Sequence, residues 1–197
     1  MRVKMKGVVL SLVWVAFAMP LVTSTDATAS KPGARAEVFS ALAQPPGGGS
    51  PVNVKIYINS YSTQQEGERL HKLLLDSGPA ALLKALGKMK SKGHIERDGS
   101  VGLYNFKFIL SKPITGGRHI YAVADRPIGF LEAYFSTRSK DYPFGILELD
   151  LKEGSSERDK GEGTLIYAAK IKVLNGEKVE IENVTFAPIR LLAVKQF

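Results

Sequence analysis

The sequence predicts an α+β domain: one largely antiparallel, curved sheet of about seven strands covered on one face by a two-helix segment, in the order β-α-α-β-β-β-β-β-β. Two patterns point there. Residues 62–90 form the long stretch with helical spacing, and most of the chain beyond residue 90 alternates with period two. A half-buried sheet needs an apolar cover, and 62–90 is the segment able to supply it.

Within that stretch, Leu70, Leu73 and Leu74 make one apolar stripe, and Leu82, Leu83, Leu86 and Met89 a second. Between them Asp76-Ser77-Gly78-Pro79 reads as a stop and restart. Gly78 can end one helix in a left-handed conformation, and Pro79 suits the first turn of the next. At the front, Ser62 with Gln65, or Thr63 with Glu66, offers a capping box.

The chain opens with Arg2, Lys4 and Lys6, then an apolar run over 8–22, then small residues. That is the form of a secretory signal over 1–29, with Ala27-Thr28-Ala29 as the cleavage site. The run contains Pro20 and falls short of the roughly 20 apolar residues of a spanning helix, so no integral membrane segment is expected after signal removal. The expected address is secreted or periplasmic. With no cysteine in the chain, an exported fold rests on its core rather than on disulfides. Residues 30–51, which end in Gln44-Pro45-Pro46-Gly47-Gly48-Gly49-Ser50-Pro51, read as a flexible Pro/Gly-rich tether. Residues 52–197 read as a single globular domain.

Of the 27 basic and 19 acidic residues, three and one lie in 1–29, leaving 24 against 18, a net of +6. The basic residues are scattered, densest at Lys84, Lys88, Lys90 and Lys92. A nucleic-acid binder would concentrate them in a stripe beside aromatic residues, so no nucleic-acid partner is expected.

Residues 52–59 alternate cleanly and make the first strand, with Val52, Val54, Ile56 and Ile58 on one face. After the helices, 94–100 reads as a polar connection. Residues 101–110 come next as a strand whose Tyr104, Phe106, Phe108 and Leu110 share the face that meets the helices. Residues 112–117 turn the chain back into a strand over 118–124. The least regular segment is 125–144, flanked by two Asp-X-Pro joints at Asp125 and Asp141. A strand over 146–151 then points Leu147, Leu149 and Leu151 inward and Glu148 and Asp150 outward, and 153–163 reads as an exposed charged loop. Residues 164–174 and 178–186 make a hairpin about Asn175-Gly176. A two-residue turn would set Lys172 against Val179; a three-residue loop, Asn175-Gly176-Glu177, sets Lys172 against Glu180, Lys170 against Glu182 and Ile171 against Ile181. The odd-numbered loop keeps the faces intact. Pro188 breaks the ladder, and 189–194 is expected as a last strand at an edge, where proline is tolerated.

No catalytic constellation emerges. His71, His94 and His119 lack the short spacing of a helical metal motif, so neither a metal nor a cofactor is expected. The serines lack a nucleophile elbow. Thr115-Gly116-Gly117-Arg118 reads as a hairpin turn. Glu148 and Asp150, on one strand face and roughly 6–7 Å apart by strand rise, are the available carboxylate pair; lysines from 164–174 are expected opposite them. The irregular segment gathers Arg126, Tyr134, Arg138, Asp141 and Tyr142, residue types suited to recognition on loops held by rigid strands. Pairing of the arginines with Asp125 and Asp141 would instead pin the loop.

The function expected is that of an exported, non-enzymatic binding or interaction module, contacting a protein or an anionic envelope component through 125–144 or an exposed sheet edge. The alternatives are a small secreted hydrolase using Glu148 and Asp150, or a carrier holding an apolar small molecule between helices and sheet. A deep pocket lined by Tyr104, Phe106 and leucines would mark the carrier.

Overall fold

A computed structural model describes residues 36–99, 102–129, 141–152, 161–185 and 187–197. In chain order these form β1 (Glu37–Gln44), β2 (Val52–Ile58), α1 (Gln64–Lys88), β3 (Gly93–Arg97), β4 (Leu103–Phe106), β5 (Phe108–Ile114), β6 (Gly117–Ala124), β7 (Phe144–Lys152), β8 (Gly161–Leu174), β9 (Lys178–Asn183) and β10 (Ile189–Gln196). The strands make one antiparallel sheet in the order β4-β3-β2-β1-β10-β8-β7-β6-β5, with β9 pairing β8 off that path. The α+β class stands, but the sheet is larger than about seven strands, and one helical element replaces the two expected.

The two ends of the sheet are halves of one stretch of chain. β4 pairs with β3, β5 pairs with β6, and Lys107 alone separates them. The Lys107 N–H donates to the Val123 carbonyl (2.9 Å), while the Phe106 carbonyl accepts from Lys92 (2.9 Å). The sheet therefore curls until it is nearly barrel-shaped. The extra residue also reverses the faces, as a bulge does. Tyr104 and Phe106 belong to the interior with Ile109, whereas Phe108 and Leu110 point outward to α1. Uninterrupted alternation would keep Phe106 and Phe108 on one face, and the bulge separates them.

The interior is filled by aliphatic and aromatic side chains such as Phe39, Val54, Ile56, Ile95, Phe106 and Leu149. Glycines such as Gly117 and Gly163 permit close strand approach. A Cβ on Gly117 would lie 2.0 Å from the Leu151 carbonyl oxygen, and one on Gly163 would lie 2.4 Å from that of Glu148. One end is tied by a polar knot: Arg118 reaches Glu37 (2.7 and 3.1 Å), the Tyr61 hydroxyl (3.3 Å) and Gln196 (3.2 Å), and the Tyr61 hydroxyl donates to Glu37 (2.9 Å). Burial holds the Tyr61 phenol well above its ordinary value, so it stays protonated there as a donor.

Several segments differ from expectation for readable reasons. Glu37–Gln44, within the stretch expected as a tether, is a strand lying between β2 and β10. Its inward residues below Phe39 are only Ala41 and Ala43, while Leu42 faces out, so its alternation is faint. Gly93–Arg97, expected as a polar connection, is a strand against β2, with Ile95 buried. β8 begins at Gly161, inside the expected loop. β10 lies between β1 and β8 rather than at an edge; Pro188 is accommodated in the break between β9 and β10. The hairpin register is as expected: Lys170 faces Glu182, Ile171 faces Ile181 and Lys172 faces Glu180. Asn175 (φ 53°) and Gly176 (φ 75°) supply the left-handed loop residues.

α1 starts at Thr63, whose hydroxyl accepts from the Glu66 N–H (3.1 Å) while its own N–H donates to the Glu66 carboxylate (3.0 Å). At Gly78 (φ 79°, ψ 178°) the helical path breaks, with Pro79 following. A straight 25-residue helix would be roughly 37 Å long, yet Lys92 beyond its end pairs with Glu66 at its start (3.2 Å). The element therefore folds back on itself. Leu70, Leu74, Leu82 and Leu86 are buried against the outer face of the sheet.

Candidate functional site

Of the five expected site residues the structure describes Arg126, Asp141 and Tyr142. Tyr134 and Arg138 lie outside the described residues. Arg126 donates to the Leu103 carbonyl (3.1 Å) and stands over the Tyr104 ring (5.8 Å), which ties it to β4. The Tyr142 hydroxyl donates to Glu182, and Lys170 lies 6.0 Å from its ring. The hydrogen bond to Glu182, with burial, pushes the Tyr142 phenol up to about 12. Tyr142 thus braces the β8–β9 hairpin. Asp141 is exposed. Asp125 meets Lys107 (4.0 Å), so the expected Arg126–Asp125 pinning is replaced.

Glu148 and Asp150 do point outward, but their cross-strand neighbours are not lysines. On β8 they face Thr164 and Glu162; on β6 they face Tyr121 and His119. His119 Nδ1 bonds the Asp150 carboxylate, and its ring packs on Tyr121 (4.0 Å between centroids). Its buried Nε2 has no hydrogen-bond partner among the described residues. The Glu148 carboxyl is pushed above its ordinary value, chiefly by burial, against the opposing influence of His119. Burial and the neighbouring carboxylates likewise raise the Tyr121 phenol.

No protein-family model, curated protein or solved structure matches this chain.

What the fold does assemble is a cavity of about 410 Å³ between α1 and the outer face of the sheet. Small-molecule sites commonly run about 300–1,000 Å³. Leu70, Leu74, Leu82 and Leu86 roof it, Phe108, Leu110 and Ile146 floor it, and the β8–β9 hairpin contributes Ile171, Val179 and Ile181 as a side wall. His71, Lys112, Tyr121 and Glu148 are its polar lining. The aromatic groups are therefore Phe108 and Tyr121, not Tyr104 and Phe106, which face the barrel interior.

Strand register arranges this floor in rows. Phe108, Val123, Ile146 and Ile166 stand side by side across β5 to β8. Two residues along, about 7 Å, the row is Leu110, Tyr121, Glu148 and Thr164. Two further, it is Lys112, His119, Asp150 and Glu162. The face passes from fully apolar to fully polar across three rows. Sequence reasoning singles out Glu148 and Asp150 and assigns no role to Tyr121 or Lys112; their meaning depends on which strand lies beside which. Among the described residues no group of three or more His, Cys, Asp or Glu is placed to hold a metal ion.

Proposed function

We propose that this chain is an exported, non-enzymatic binding protein that carries an apolar small molecule between α1 and the outer face of β5 to β9. The cavity carries the reading: it is lined mainly by leucine, isoleucine and phenylalanine, with Lys112, Tyr121 and Glu148 in adjacent rows of its sheet floor. Export rests on the basic start and short apolar run of the first 29 residues. Hydrolysis by Glu148 and Asp150 has less support, because the two stand side by side on one strand rather than facing each other across a substrate, and Asp150 is engaged by His119. A protein or envelope partner at Arg126, Asp141 and Tyr142 also has less support, since Arg126 and Tyr142 hold neighbouring strands.

The test uses the full-length chain and the neutral fluorophore phenylnaphthylamine. Saturable binding with a blue-shifted emission is expected, and Val179→Trp, which places an indole in the side wall, is expected to abolish it without lowering the melting temperature. Unchanged binding by Val179→Trp would sink the assignment.

A further inference from the structure

We propose that the groove's ligand is a single-chain amphiphile with a carboxylic acid head, its chain against the Phe108–Ile146 row and its head at Lys112, Tyr121 and Glu148. The inference rests on the carrier reading and adds the ligand's chemistry and direction. A plain hydrocarbon would cover the apolar row but would also take water from Tyr121 and Glu148 without replacing its hydrogen bonds, which is costly. A ligand with one polar end avoids that, because the rows set the apolar residues of the sheet floor at one end and the polar ones at the other. The head is further specified by the donors. Lys112 supplies an ammonium and Tyr121 a phenol held in its protonated form, and His71 of α1 also lines the cavity. An acid head takes charge-assisted bonds from the first two. Against Glu148 it forms a carboxyl–carboxylate pair that shares one proton, since two carboxylates in contact cannot both ionise.

That pairing couples binding to proton uptake. The groups beside Glu148 are Tyr121 and His119 from β6, Thr164 and Glu162 from β8, and Asp150 on its own strand, while Lys112 on β5 and His71 on α1 line the same cavity. Binding of the acid should strengthen as pH falls from neutral toward the carboxylate range, whereas binding of an alcohol should not.

Calorimetric titration of the full-length chain with dodecanoate, dodecanol and dodecyltrimethylammonium, each below its micellar concentration, tests this. Dodecanoate is expected to bind with one-to-one stoichiometry and roughly tenfold more tightly than dodecanol, the scale of one charge-assisted hydrogen bond. The cationic chain should bind more weakly than either. In Lys112→Met the preference for the acid over the alcohol should be lost. Glu148→Gln should keep the preference for the acid while removing its strengthening at lower pH. If dodecanol binds as well as dodecanoate, or if the preference survives Lys112→Met, the head-group assignment is overturned and the carrier reading stands. If no chain binds, both fall.

Discussion

Among the described residues there are two apolar clusters, and they differ in what bounds them. The first lies inside the curled sheet, where strands from every direction converge and residues such as Val54, Ile95 and Phe106 have no exposure at all. The second lies between the sheet's outer face and α1, where Leu70, Leu82, Phe108 and Ile171 each keep a little. A sheet that closes on itself can fill its interior with interdigitating side chains to crystal-like density. A helix bent back at Gly78 and laid across an outer wall touches that wall along two lines and leaves volume between them. The unfilled volume is thus outside the curled sheet, under the element least able to fill it.

The largest expected effect tests that contrast directly. Phe106→Ala deletes a ring from the filled interior and should cost about 3–5 kcal/mol; Leu82→Ala enlarges a cavity already present and should cost about 2 kcal/mol, the low end for leucine truncation. Urea denaturation of both variants, with equal slopes, measures the difference. Equal losses would mean that the groove is packed as tightly as the interior, and the carrier reading would lose its basis.

The same contrast explains which features are legible in the sequence. The leucine stripes, the Gly78-Pro79 break, the Thr63–Glu66 box and the odd hairpin loop are local features, fixed within a few residues by caps, turns and periodicity. They can be read directly. β1 cannot, because its inward positions are mostly alanine, a residue depleted in strands, and a Pro/Gly run comes after it. Its place in the sheet is set by pairing with β10, some 150 residues away. The Lys107 bulge is hidden for the opposite reason: residues on both sides of it alternate well, so nothing local announces the change of face. The groove inherits both obscurities. Its polar row exists only once β5, β6 and β7 are placed side by side, and no window of sequence contains that arrangement.

A smaller effect is expected where the interior meets water. Arg118 and Glu37 are both less than a third exposed, and their bonds join β6 to β1 across the barrel end. Removing one partner leaves the other poorly solvated, so Arg118→Ala should cost about 2 kcal/mol in the same denaturation assay. Arg118→Lys should recover little, because an ammonium cannot reproduce the forked contact with Glu37, Tyr61 and Gln196. Full recovery by lysine would show that only charge matters there and that the knot does not set the barrel's closure.

The smallest expected effect separates the two sides by its sign. Glu148, facing the groove, has its folded-state carboxyl raised by burial, so its contribution to stability is present below the ordinary carboxylate range, about pH 4, and is lost as pH rises through the folded value. Glu66, at the start of α1, behaves oppositely. Burial raises its carboxyl, but the Thr63 N–H and Lys92 outweigh that and hold it below its ordinary value. Its contribution is present above the ordinary range and is lost as pH falls through the folded value. Near neutral pH, Glu148→Gln should therefore stabilise the protein slightly, and Glu66→Gln should destabilise it. Both differences should vanish in acid, once each carboxyl is protonated in folded and unfolded chains alike. Melting temperatures across that pH range measure both. A destabilising Glu148→Gln would mean that the carboxylate is held by fixed partners, so that the polar end of the groove is a finished ion network and not a place prepared for a ligand's head.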